Sequence, residues 1–129
     1  MTEDDLRAIA EKFAAAVRTQ DREALSSITT SEVTWTLPGN ASISGVAAGV
    51  DGILKRAQML SDHQVNIKVL HVVYGLFGFG LLLHNTGRKG ERVLDEHLTT
   101  IMQMEGDRID RLDTYISDVA MLEAYFAED

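Results

Sequence analysis

Cysteine is absent from the 129 residues, and proline and tryptophan each occur once. Without a thiol the chain can form neither a disulfide nor a thiolate metal site, so a reducing compartment is permitted. Basic residues are scarce: 12 Lys and Arg stand against 20 Asp and Glu, a formal net charge of −8. That balance opposes a phosphate backbone, which argues against nucleic acid as a partner. No run approaches the roughly 20 apolar residues of a membrane span, and the acidic start Met1-Thr2-Glu3-Asp4-Asp5 lacks the basic and apolar stretches of a signal peptide. The expectation is a cytoplasmic protein without a membrane partner. Repeats, low-complexity tracts and linkers are also missing, so residues 1–129 read as one domain.

What is present is a helical half followed by a strand-rich half. Leu6, Ile9, Ala10, Phe13, Ala14 and Val17 recur at helical spacing behind a Thr2 cap and first-turn acids, which predicts a helix over about 3 to 19. Asp21 can cap a shorter helical piece through Leu25 and Ile28. Val33 to Leu37 is β-branched and aromatic and stops at Pro38-Gly39, so it reads as a first strand. A short strand is expected at Ser42 to Ser44, then a helix over roughly 50 to 61 carrying Ile53, Leu54, Ala57 and Leu60. From Val65 the breaks fall at Gly75, Asn85 to Gly90, and Glu105 to Asp107. Four antiparallel strands fit at about 65 to 74, 76 to 85, 92 to 104 and 108 to 117, with a closing helix from Val119 to Ala127. Helices first and a meander second predict an α+β fold. The glycines of Gly75 to Gly80 precede no helix, so they read as strand bends rather than a phosphate loop.

Trp35-Thr-Leu-Pro38-Gly39, Ser44-Gly45, Gly49 and Asp51-Gly52-Ile53 resemble the N-terminal half of SnoaL-like proteins of the nuclear transport factor 2-like superfamily. His84 to Asp95, the Asp107-Arg108-Ile109 turn and Asp118 to Ala127 resemble the rest in the same order. The resemblance implies a cone: a curved mixed or antiparallel sheet of about six strands packed with three or four helices around a cavity. It also implies frequent dimerisation through the outer sheet face. Ketosteroid isomerases, polyketide cyclases, dehydratases, epoxide hydrolases and noncatalytic binders share that frame. Where the isomerases carry a general-base Asp this chain has Thr36, and where the epoxide hydrolases carry an Asp it has Thr114. Many SnoaL-like relatives carry a His at the position of Thr100, for which His97 is an unaligned substitute.

Asp118 is the leading catalytic candidate, at the end of the last strand where such proteins often place a pocket carboxylate. An Asp before a helix is equally a preferred N-cap. A final hairpin turning around Gly106 to Arg108 sets Asp118 opposite Glu96, and one residue tighter sets it opposite Asp95. Either pair of like charges would raise one pKa and furnish an acid beside a base. Alternation places Leu98, Met102 and Met104 on one face and Leu112, Ile116 and Asp118 on another, both read as inward. Thr100 and Thr114 join these as candidate pocket residues, with Trp35 and Leu37 as a wall from the first strand. Tyr74 could donate into the cavity or hold a turn. A turn at Arg88-Lys89 would pair His84 with Val93 and His97 with Gly80, leaving the histidines apart, and no spacing suggests a metal site. The reading is a small-molecule-binding protein. As an enzyme it would be a cofactor-independent isomerase, cyclase or dehydratase of a polycyclic, polyketide-like or steroid-like substrate. The alternative is a noncatalytic binding or dimerising accessory protein. Because apolar residues occupy both faces of the strands, a homodimer is expected.

Overall fold

The computed structural model of the chain describes residues 1–128. Helix α1, Glu3–Thr19, begins in a closed capping box: the Thr2 hydroxyl accepts from the Asp5 amide, and the Asp5 carboxylate accepts from the Thr2 amide. Asp21 caps α2, Arg22–Ile28, through the Ala24 amide. The remaining elements are β1 Thr29–Leu37, β2 Gly45–Ala48, α3 Gly49–Asp62, β3 Val65–Tyr74, β4 Gly78–Lys89, β5 Arg92–Glu105, β6 Arg108–Ile116 and α4 Val119–Tyr125. No helix among the described residues is long and apolar enough to cross a membrane.

The six strands form one mixed sheet in the order β2-β1-β6-β5-β4-β3. β1 runs parallel to β6, and every other neighbouring pair is antiparallel. The α+β architecture read from the sequence is the one adopted. Alternation sorts the strands into an inner face carrying Val33, Trp35, Leu81, Leu83, Leu98, Met102 and Leu112, and an outer face. Helices α1 and α3 bury Phe13, Val17, Ile53 and Ala57 against the inner face. A second cluster joins Leu122, Tyr125 and Phe126 of the α4 region to Leu37, Ile43 and Leu94. Gly87 leaves room for this docking, since a Cβ there would lie 2.6 Å from the Tyr125 hydroxyl, which donates to the His63 carbonyl.

Several boundaries differ from the sequence expectation, each for a local reason. β1 starts at Thr29 because the Thr29 hydroxyl donates to the Leu25 carbonyl and closes α2. Residues 42–44 form a turn rather than a strand: the Ser44 hydroxyl donates to the Pro38 carbonyl and accepts from the Ala41 amide, and β2 follows at Gly45. Leu76 and Phe77 stand exposed in the β3–β4 turn, so β4 begins at Gly78. A Cβ at Gly78 would meet the Met102 carbonyl oxygen at 1.9 Å, so glycine here admits the neighbouring backbone. α4 ends at Tyr125 rather than Ala127, where Phe126 leaves helical geometry.

The hairpin turns decide the register. β4 runs on to Lys89 and turns at Gly90, whose φ of +63° suits glycine, so His84 faces His97 instead of Val93. The two imidazoles stack with centroids 4.5 Å apart and planes within 5°. β5 and β6 turn at Gly106, also at positive φ, and a bulge follows between Gln103 and Met104. Beyond it Leu98 pairs with Ile116, and the same register carried two residues further sets Asp118 across from Glu96 rather than Asp95.

Candidate functional site

A cavity of about 260 Å³ lies between the inner sheet face and the helices. Its walls are largely apolar: Phe13 and Val17 of α1, Ala57 and Leu60 of α3, and Leu122 and Phe126 at the C-terminal end. Exposed Arg18, Ser61 and Asn66 also line it, which puts its mouth between the ends of α1 and α3 and strand β3. Four polar features interrupt this lining.

The first is Glu96. Alternation on β5 turns Leu94, Glu96, Leu98, Thr100 and Met102 inward, and Glu96 is 1 % exposed. Neither of its oxygens has a hydrogen-bond partner among the described residues. Burial pushes its carboxyl up from 4.5 to about 7, and the nearby Asp118 charge acts in the same direction. A buried carboxyl that changes charge near neutrality can both take and return a proton. The second feature is Asn85, opposite Glu96 on β4, buried, with its Oδ1 likewise unpartnered.

The third is a chain of donors. The Trp35 indole N–H donates to the Thr114 hydroxyl at 2.9 Å, and Thr114 and Thr100 share a hydrogen bond of 2.8 Å. All three residues are buried and line the cavity. The fourth is Arg56, a buried guanidinium donating to the carbonyls of Ile43, Trp35 and Gly45 at 3.1, 2.6 and 3.1 Å. It also lies 5.1 Å over the Trp35 ring. Burial pulls its pKa down to about 10, which leaves it charged at neutral pH.

The residues singled out from sequence divide sharply. Glu96, Trp35, Leu37, Leu98, Thr100, Met102 and Thr114 line the cavity. Asp95 does not: it is on the outer face, where His84 Nε2 approaches its carboxylate at 2.6 Å. His97 is outward with it, its amide donating to the Ser117 hydroxyl. Asp118 is exposed and caps α4, accepting from the Met121 amide at 3.0 Å, so it reaches the cavity only through its charge on Glu96. Leu112 is fully buried in the core, Ile116 bridges the two clusters, and neither lines the cavity. Tyr74 packs at the core edge under Arg7, its buried hydroxyl without a partner among the described residues and away from the cavity lining.

Arg56 and Asn85 were not anticipated, yet both follow from periodicity. Arg56 falls in the helical stripe of Ile53, Ala57 and Leu60, and Asn85 continues the inward alternation of Leu81 and Leu83.

No protein-family model matches the chain, and no curated protein matches its sequence. Solved structures do match its shape. Bal32a, from a soil-derived mobile gene cassette, superposes with a TM-score of 0.82 at 19% identity, covering 95% of this chain and 98% of that one. An NTF2-like protein of Burkholderia xenovorans gives 0.79 at 18% identity, covering 97% and 98%. A Bacillus cereus protein provisionally named a polyketide cyclase gives 0.76 at 16% identity, covering 98% and 85%. At such identities the likeness establishes the fold: this chain has the NTF2-like fold.

Proposed function

We propose that the protein binds a small apolar molecule in this cavity and moves a proton on it, as a cofactor-independent isomerase or lyase in which Glu96 is the acid/base. The observation that carries this is the Glu96 carboxyl itself, buried in a largely apolar cavity without a partner among the described residues and poised to titrate near neutrality. A structural carboxylate would be expected to hold hydrogen bonds that offset its burial. The cavity, at about 260 Å³, lies just under the ~300–1,000 Å³ of pockets for drug-sized ligands, which favours a two- or three-ring compound over a four-ring one. The cyclase name of the Bacillus cereus structural neighbour is compatible with such chemistry. A second reading, a noncatalytic binder, has Thr36 and Thr114 in its favour. Thr36 only donates to Asp113, and Thr114 only joins the Trp35 chain.

Carboxyl-resolved ¹³C NMR separates the two. Glu96 is expected to titrate with a midpoint near 7, and in Asp118→Asn the midpoint should fall because a neighbouring negative charge has gone. Asn caps a helix about as well as Asp, so that variant should lose no more than a few tenths of a kcal/mol of stability. A Glu96 midpoint in the ordinary carboxylate range would remove the acid/base reading.

We also propose a homodimer through the outer sheet face. Val73, Val93, Ile101 and Tyr115 are exposed there, and Gly80 lets Val73 and Ile101 close over it, each within about 3.1 Å of where its Cβ would be. Light scattering should give a dimer at tens of micromolar, an order chosen from typical interface affinities. Ile101→Lys with Tyr115→Asp should give a monomer of unchanged fold; a monomeric wild type would refute the assignment.

A further inference from the structure

The inner face of the sheet is graded along the strands. Thr114, Thr100 and Leu81 stand side by side on β6, β5 and β4. Two residues along, Ile116, Leu98 and Leu83 form an apolar rung. Two residues further, Glu96 and Asn85 form the next. Three oxygens of that last rung, both of Glu96 and Oδ1 of Asn85, are buried without partners among the described residues.

The opposite rung has a surplus of donors. Trp35 brings one N–H, and Thr100 and Thr114 bring one O–H each, three hydrogens in all. The chain Trp35 to Thr114 and Thr114 to Thr100 uses two of them. Whichever threonine donates to the other, one hydroxyl hydrogen is left over. No acceptor among the described residues takes it, and both threonines are buried and line the cavity. A buried hydroxyl hydrogen without an acceptor is costly, and a ligand oxygen would relieve it.

We infer that the Thr100–Thr114 pair receives a carbonyl oxygen of the ligand, so that an elongated two- or three-ring ketone lies along β5 across the Leu98 rung with its other end at Glu96. This rests on the small-ligand reading above. Four strand residues separate Thr100 from Glu96, roughly 13 Å at ~3.3 Å per residue, so a single ring is too short to engage both ends. The ketone group binds at the neutral donor end, and the opposite end of the ring system meets Glu96.

The test uses the full chain with methyl-labelled Thr, Leu, Ile and Met, followed by NMR while three naphthalenes of one shape are titrated in: 2-acetylnaphthalene, 2-ethylnaphthalene and 2-naphthoate. The acetyl compound should bind at least tenfold more tightly than the ethyl compound. Its acetyl methyl should show intermolecular NOEs to the γ-methyls of Thr100 and Thr114 and none to Leu94. In Glu96→Gln that preference and those NOEs should persist, because the donor rung is untouched. Equal binding of the acetyl and ethyl compounds, or acetyl NOEs to Leu94, would overturn the inference while leaving a small-ligand site standing. Tighter binding of 2-naphthoate than of the ketone would also overturn it, by assigning recognition to the Arg56 charge. Failure of all three to bind at their solubility limits would overturn the small-ligand reading as well.

Discussion

Glu96→Gln is expected to stabilise the protein above neutral pH while reducing proton transfer in the cavity by 10²-fold or more. In the native state the Glu96 carboxyl keeps its proton up to about pH 7, whereas in the unfolded chain it loses it near 4.5. Its contribution to stability is therefore fully present below about 4.5, declines as pH rises, and is lost above about 7. Each tenfold change in proton affinity corresponds to about 1.36 kcal/mol, so with allowance for relaxation around the charge the loss is ~2 kcal/mol. Glutamine has the same shape and no charge at any pH, so it escapes that loss. Melting curves of the two proteins should agree near pH 4.5 and diverge toward pH 8, the variant ending roughly 5–10 °C higher. Curves that stay parallel across this range would show that Glu96 does not titrate within the fold. A residue whose removal strengthens the fold and silences the chemistry is one retained for function rather than for structure.

Arg56→Met should act in the opposite sense and cost about 3–5 kcal/mol. The guanidinium satisfies three backbone carbonyls, of Trp35 on β1, of Ile43 in the following turn, and of Gly45 opening β2. Methionine fills the volume of the stem but leaves those acceptors unpaired, at about 1–3 kcal/mol for each that water cannot reach. Arg56→Lys keeps the charge but not the planar fork that reaches three oxygens, so it should recover less than half of the loss. Urea unfolding reads both variants, and against a total stability of about 5–15 kcal/mol an effect of this size is plain. A loss under about 1 kcal/mol for Arg56→Met would mean that the turn holds itself and that the buried charge serves the ligand alone. Loosening this anchor also frees Trp35, so the cavity wall should lose order before the sheet does.

Helices α1, α2 and α4 were legible because apolar spacing and caps agree, with Thr2, Asp21 and Asp118 each capping the helix that follows, while α3 shows in its apolar spacing alone. The inward alternation of β5 was equally plain, and it carries Glu96 inward together with Leu98, Thr100 and Met102. Register was harder to read, because it depends on which glycine turns the chain. Placing the β4–β5 turn at Gly90 rather than two residues earlier brings His84 and His97 together and makes Asn85 the neighbour of Glu96. Asp118 illustrates a different difficulty, since proximity to Glu96 in register does not aim its side chain inward when the Met121 amide captures it. Arg56 was passed over because a charge on an apolar helical stripe reads as an interruption until the carbonyls it serves are placed around it in space.

The pairing of β1 with β6 also governs the order in which the protein can be made. Trp35 and Thr114, joined across that pair, are separated by 79 positions. Until the ribosome has released β6, strands β1 and β2 have only each other as sheet partners among the described residues, and a two-stranded ribbon is marginal in water. The meander from β3 to β6 has mostly local contacts and can assemble first, whereas closing the long β1–β6 loop carries the larger entropic cost. The hydroxyl chain that lines one end of the cavity thus cannot form before β6 has emerged, however early its Trp35 end was made.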